Sequence, residues 1–263
     1  WLSFFRRWGL GAILADDMGL GKTIQALALL LHEKESHGEK LPGPVLLVCP
    51  TSVVTNWQRE AHRFAPVLSI HKHQGPTRLH GKELIQACKS AELVITSYPL
   101  LRQDAEELQS IRWFGVILDE AQNIKNPSAK QTQSARSLQA GFRFALTGTP
   151  VENRLMELWS IMQFLNPGYL GARERFRREF SIPIERFRDK DATNQLKSLV
   201  SPFLLRRVKT DPSVITDLPE KIEVKAYCNL TEEQASLYQA VVNEVMEKIA
   251  ASEGIERHGL VLA

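Results

Sequence analysis

Apolar residues recur in two rhythms along this chain, and the change between them divides it. Up to Pro150, short apolar runs alternate with longer stretches in which apolar residues return every three or four positions. The short runs are 10–14 (LGAIL), 45–49 (VLLVC), 68–71 (LSIH), 93–96 (LVIT), 114–118 (FGVIL) and 142–146 (FRFAL). Pro44 and Pro50 bound the run 45–49, whose aliphatic character suits a strand covered on both faces of a parallel sheet. Between the runs the pattern predicts helices from Lys22 onward and over 53–64, 77–90, 101–108 and 128–138. A short aromatic helix precedes them, ending at Arg7 or Trp8. Strand–helix alternation of this kind predicts an α/β fold, a doubly wound and mostly parallel sheet. Ligands of such a sheet sit beyond the carboxyl ends of its strands.

After Pro150 the rhythm is lost. A helix is expected over 152–165, then a basic and mostly helical stretch over 173–208 without strand–helix alternation. Residues 222–227 (IEVKAY) alternate like a strand. A long amphipathic helix over 231–251 opens with Thr231, and Gln234 completes a capping box. Boundaries near 166–171 and 217–221 give three parts: a lobe over 1–166, a helical extension over 167–218, and the start of a further lobe over 219–263.

Composition narrows the class. With 263 residues, 43% hydrophobic and 24% charged, the chain has enough apolar side chains for a sizeable core. No apolar run approaches the ~18 residues of a membrane span. Cys49, Cys88 and Cys228 are scattered and odd in number, as expected of reduced thiols rather than a disulfide framework or zinc site. His32, His71 and His73 have no metal-ligand spacing with any cysteine and are expected at the surface. The net charge of +3 is unevenly spread: 173–209 holds eleven Lys/Arg against five Asp/Glu, and 210–263 four against ten. The basic stretch suits either a phosphate-backbone partner or a solvated helical face.

Candidate chemistry begins where the first strand ends. Asp16-Asp17-Met18-Gly19-Leu20-Gly21-Lys22-Thr23 places a glycine-bearing loop between a strand and a helix. Gly19 and Gly21 allow the backbone to approach a polyphosphate with its N–H groups inward, and the following helix turns its positive end to the same anion. Lys22 would reach the β/γ-phosphates and the Thr23 hydroxyl would join a Mg²⁺ ion. The strict G-x-x-x-x-G-K-[ST] pattern has glycine where Asp16 stands, so a glycine-rich turn capping a buried helix is the competing reading. A second feature answers it. Asp119 and Glu120 end the run FGVIL; there an aspartate can hold Mg²⁺ through water and a glutamate can orient or deprotonate the attacking water. The plainer alternative is an acidic cap on the next helix.

Taken in order, DDMGLGKT (16–23), LLVCPTSVVTNWQRE (46–60), VITSYPLL (94–101), LDEAQNIKN (118–126) and LTGTPVENRL (146–155) resemble the motifs of SWI/SNF-type ATPases of helicase superfamily II. The likeness continues through FLNPGYLG (164–171), FLLRRVKTD (203–211) and LPEKIE (218–223). Asp16 is what that family carries at its place. The resemblance implies a RecA-like lobe of an ATP-driven motor that translocates on double-stranded DNA without separating the strands. ATP and Mg²⁺ would be bound by 16–23, with Lys22, Asp119 and Glu120 catalytic and Thr23 and Asp119 at the metal. Thr51, Ser52, Asn56, Ser97 and Tyr98 fall in segments that in the family follow a DNA strand. Thr147, Gly148 and Thr149 match the motif linking hydrolysis to DNA grip. Lys125 would touch phosphate or offset nearby carboxylates, Thr51 and Ser52 would alternatively cap a helix, and Trp57 reads as core before it reads as a base-stacking platform.

The resemblance further implies partners: the phosphate backbone of double-stranded DNA, a second RecA-like lobe carrying an arginine finger, and other DNA-bound proteins. No membrane partner is expected. An arginine finger is worth about 10³–10⁵ in rate, so residues 1–263 alone are expected to turn ATP over very slowly. An adenine-reading segment is expected before Trp1. The motif wording leans towards a bacterial member, cytoplasmic and nucleoid-associated, or nuclear if eukaryotic. Competing classes are an RNA- or single-strand-dependent ATPase, a phosphate-loop NTPase not acting on nucleic acid, and an inactive binding module.

Overall fold

The computed structural model describes residues 1–148, 154–211, 213–214, 224–225 and 227–252. Its contacts fall into two compact units, 1–216 and 217–263. In the first, seven parallel strands form one sheet: β1 (Ala12–Leu14), β2 (Val45–Cys49), β3 (Ile70–Lys72), β4 (Leu93–Ser97), β6 (Gly115–Asp119), β8 (Arg143–Leu146) and β9 (Leu204–Leu205), in the order β3-β4-β2-β6-β8-β1-β9. Two further short strands, β5 (Arg112–Trp113) and β7 (Gln139–Ala140), pair beside it. Every pairing is parallel.

The central strands are buried on both faces. All five residues of β2 and of β4 are inaccessible, because helices cover the sheet on either side. Gly115 opens β6 for a packing reason: a Cβ there would lie 2.0 Å from Cζ of Phe142, whose ring meets Phe114 edge-to-face and Phe144 at a tilt. That close fit fixes the start of the strand that ends in Asp119.

Several elements differ in extent from the sequence expectation. The helix expected over 77–90 begins only at Gly81, and the one over 101–108 is two, Tyr98–Gln103 and Ala105–Gln109. Thr51 and Ser52 do not cap a helix: they form a 3₁₀ turn with Val53, and the helix Val54–Phe64 follows with no side-chain cap. The basic stretch is helical over Arg173–Phe187 in three continuous segments and over Lys190–Val200. It also contains one short strand, β9, which extends the main sheet beside β1. Leu204-Leu205 is too short for its period to be read, and only the exposed edge of β1 makes it a strand.

His73 is wholly buried, contrary to expectation, with Nε2 2.7 Å from Asp104 Oδ2. His71 is half-buried and His32 exposed. The free thiols of Cys49 and Cys88 are buried, and burial pushes both up to about 12. In the second unit the helix Glu232–Ala251 carries the expected capping box. The strand expected over 222–227 lies largely outside the described residues. Among those residues no helix is long and apolar enough to cross a membrane.

Candidate nucleotide-binding site

β1 ends at Leu14, and the chain turns through two glycines in the left-handed region, Gly19 (φ +86°) and Gly21 (φ +74°). A side chain resists that conformation. Gly21 caps the helix Lys22–Ser36, so the unpaired N–H groups of its first turn face the hollow of the loop. Lys22 folds back under the loop, its Nζ donating to the carbonyls of Asp16 (2.7 Å) and Asp17 (3.3 Å).

The carboxylate of Asp16 is turned into the protein. It is wholly buried and accepts bonds from Arg207 Nε and Nη2, from the Arg207 backbone N–H (3.0 Å) and from Gln25 Nε2 (3.2 Å). Burial alone would push this carboxyl up, but the bonds from Arg207 and Gln25 outweigh it and hold it below its ordinary value. Asp17 accepts from the Lys209 N–H (3.1 Å). The sequence reading placed Asp16 and Asp17 in the nucleotide loop without their partners on the 204–209 segment.

At the end of β6, Glu120 adopts φ +50°, a costly conformation for a residue with a side chain. The Tyr98 hydroxyl donates to the Asp119 carbonyl (2.8 Å), and Asn123 donates through its backbone N–H (3.0 Å) and Nδ2 (2.9 Å) to that of Glu120. These bonds hold the turn. Trp57 Nε1 donates to Asp119 Oδ2 at 2.7 Å. Burial raises the Asp119 carboxyl and the Glu120 charge adds to that, while the Trp57 bond and Lys22 only partly oppose it. Glu120 Oε2 accepts from Gln122 Nε2 (2.8 Å), and Gln122 Oε1 accepts from the Thr147 hydroxyl (2.8 Å). A continuous relay thus joins the acid to the segment after β8.

Loop and acid pair meet. Gly19, Gly21, Lys22, Thr23, Asp119 and Glu120 line one cavity of about 530 Å³ at the carboxyl ends of the strands, with Asn56 and Trp57 on its wall. A larger cavity of about 720 Å³, beside Arg112, Arg136 and Arg143, has no acidic lining and contains none of these groups. The donor set fits Mg²⁺: a carboxyl raised by burial and by a neighbouring negative charge is relieved by a cation. Among the described residues no three His, Cys, Asp or Glu side chains gather as a metal site. A sparse protein donor set suits an ion that takes most of its ligands from phosphate and water.

The other predicted residues separate into two groups. Thr51, Ser52 and Asn56 are exposed, and Asn56 bonds to Glu60 and Arg59. Ser97, Tyr98 and Thr147 are buried, so their side chains do not share that surface. Gly148 and Lys125 are half-buried, with Lys125 Nζ 3.9 Å from Glu157 Oε1. Thr149 lies outside the described residues. Met18 is exposed at the cavity mouth, and Leu20 is half-buried in the loop. Two residues of the site were missed. Trp57 is core, as read, at 3% exposure, yet its indole N–H reaches the acid pair. A buried tryptophan needs such a partner, and that was the available signal. Arg207 had only its basic context to mark it.

The family profile of the SNF2-related domain matches residues 1–260. The chain belongs to the SNF2-related family. It is 49% identical over its whole length to YwqA of Bacillus subtilis (strain 168), provisionally named an ATP-dependent helicase/translocase, and spans 28% of that protein. To the mouse chromatin-remodeling ATPase INO80 it is 36% identical over 93% of this chain and 16% of that one. The SWI2/SNF2 ATPase core of Sulfolobus solfataricus in complex with double-stranded DNA superposes with a TM-score of 0.75 at 41% identity, covering 100% of this chain and 54% of that one. The chain therefore corresponds to a part of each of these SNF2 relatives, and the parallel sheet is that of their ATPase core.

Proposed function

We infer that this chain is the ATP-binding lobe of a motor that moves along double-stranded DNA without separating its strands. One observation carries the reading: an anion-binding loop and a strand-end acid pair, distant in sequence, line a single cavity. Lys22 and the N–H groups of 19–23 bind the phosphates. Thr23 and Asp119 would hold Mg²⁺, which would supply positive charge at the phosphates. Glu120, oriented by Gln122, accepts the proton of the attacking water. Thr51, Ser52 and Asn56, exposed at the start of a helix, suit phosphate-backbone contacts that read no bases, and Lys125 extends that set. Tyr98 acts from beneath by holding the backbone of the acid turn and Thr147 by holding Gln122, with Ser97 buried next to Tyr98 and Gly148 and Thr149 following in the same motif. Residues 1–166 form the lobe, 167–218 the extension, and 219–263 the start of the second lobe. DNA as partner is supported by the Sulfolobus core solved with double-stranded DNA. In a bacterial cell such a motor works on the nucleoid.

The test is the rate of ATP hydrolysis by the full-length protein with duplex DNA, single-stranded DNA, RNA and no nucleic acid. The reading predicts stimulation by duplex above all. Stimulation by RNA or single strands alone would favour a different motor, and no stimulation by any of them a phosphate-loop NTPase of another kind.

A further inference from the structure

The segment 204–209 runs beside the phosphate loop residue by residue. Leu204 and Leu205 pair with Ile13 and Leu14. Beyond the sheet the Ala15 N–H donates to the Leu205 carbonyl (2.7 Å) and the Asp17 N–H to that of Arg207 (3.0 Å), while the Lys209 N–H donates to Asp17 Oδ2 (3.1 Å). Arg207 locks the strap through Asp16. The register delivers Lys209 to Gly19: its Nζ lies 3.1 Å, and its Cε 3.4 Å, from where a Cβ on that glycine would stand. Lys209 is exposed, and among the described residues its ammonium forms no ion pair. By contrast, the guanidinium of Arg206 lies 3.9 Å from Asp17 Oδ1.

We propose that Lys209 is a second phosphate-binding cation, contributing from the strap to the same polyphosphate that Lys22 meets from within the loop. The proposal rests on the nucleotide reading above. An ammonium is a compact charge on a flexible stem, and this one stands against Gly19 of the loop whose N–H groups and following helix N-terminus favour an anion. Being solvated, it gives up no ion pair among the described residues on meeting phosphate. The strap on which it sits continues from the basic helix Lys190–Val200, so nucleotide and helical extension touch through one short segment.

The experiment measures equilibrium binding of ATP and ADP to the full-length protein without DNA, at low and high salt, for wild type, Lys209→Ala, Lys209→Arg and Lys22→Ala. Lys209→Ala should weaken ATP binding about tenfold and flatten its salt dependence, as expected for loss of a charge-assisted contact. Lys209→Arg should stay within about threefold, because charge rather than shape is required. Apo melting temperatures should not change, as the side chain is exposed. An affinity in Lys209→Ala within twofold of wild type overturns the proposal, whether or not its DNA affinity falls; so does an equal loss in Lys209→Arg. If wild type fails to bind ATP, or Lys22→Ala binds it unimpaired, the nucleotide reading itself fails and the proposal with it.

Discussion

Arg207 and Asp16, 191 residues apart, form a multidentate ion pair in which the carboxylate is wholly buried and the guanidinium only partly so. Removing one partner leaves the other uncompensated. Arg207→Ala should therefore cost about 3 kcal/mol, the range seen when a buried pair is broken. The Asp16 carboxyl is held below its ordinary value, so the pair's contribution is complete above the unfolded carboxyl pKa of about 3.9. It is lost as pH falls through the lower folded value. Denaturant melts of wild type and variant at neutral pH and at progressively lower pH check both statements: their difference should shrink on acidification.

Asp119 behaves oppositely. Its carboxyl is raised by burial, so at neutral pH its charge opposes folding, and that cost disappears as pH falls through the raised value. Asp119→Asn should raise the melting temperature of the nucleotide-free protein while lowering hydrolysis by at least about a hundredfold, the scale of a lost catalytic group. Calorimetry beside an ATPase assay checks the pair of effects. A loss of stability would show that the carboxylate is not under electrostatic stress.

The Trp57 indole N–H orients the same carboxylate at 2.7 Å. Trp57→Phe keeps the ring in the core but removes a hydrogen bond to a charged group, worth about 1.5–3 kcal/mol. Turnover should fall about tenfold or more with a much smaller loss of ATP affinity. Steady-state kinetics together with direct binding separate the two.

Gly115→Ala should cost about 3 kcal/mol, near the upper end for overpacking, because the new methyl meets the Phe142 ring. The drop in denaturant midpoint measures it.

Much of this was legible from residue order. The run VLLVC is strand β2 over the same residues, 45–49, because prolines bracket it and burial on both faces permits only apolar side chains. Loop and acid pair were read as partners, and they line one cavity because parallel strands bring their carboxyl ends to one edge. What escaped depends on contacts that no local pattern announces. β9 is a strand only because β1 offers an edge. Tyr98 falls in a segment expected to follow a DNA strand, yet its hydroxyl is bonded beneath the acid turn. His73 carries no periodic signal, and its burial follows from Asp104, which Arg78 also grips.

In the proposed site Lys22 and Glu120 serve one bound triphosphate in different ways. ATP binding and DNA-stimulated hydrolysis by the full-length protein, measured together for Lys22→Ala and Glu120→Gln, test it most directly. Lys22→Ala should lose both binding and hydrolysis, whereas Glu120→Gln should bind ATP and fail to hydrolyse it. Hydrolysis at the wild-type rate in either variant would contradict the claim.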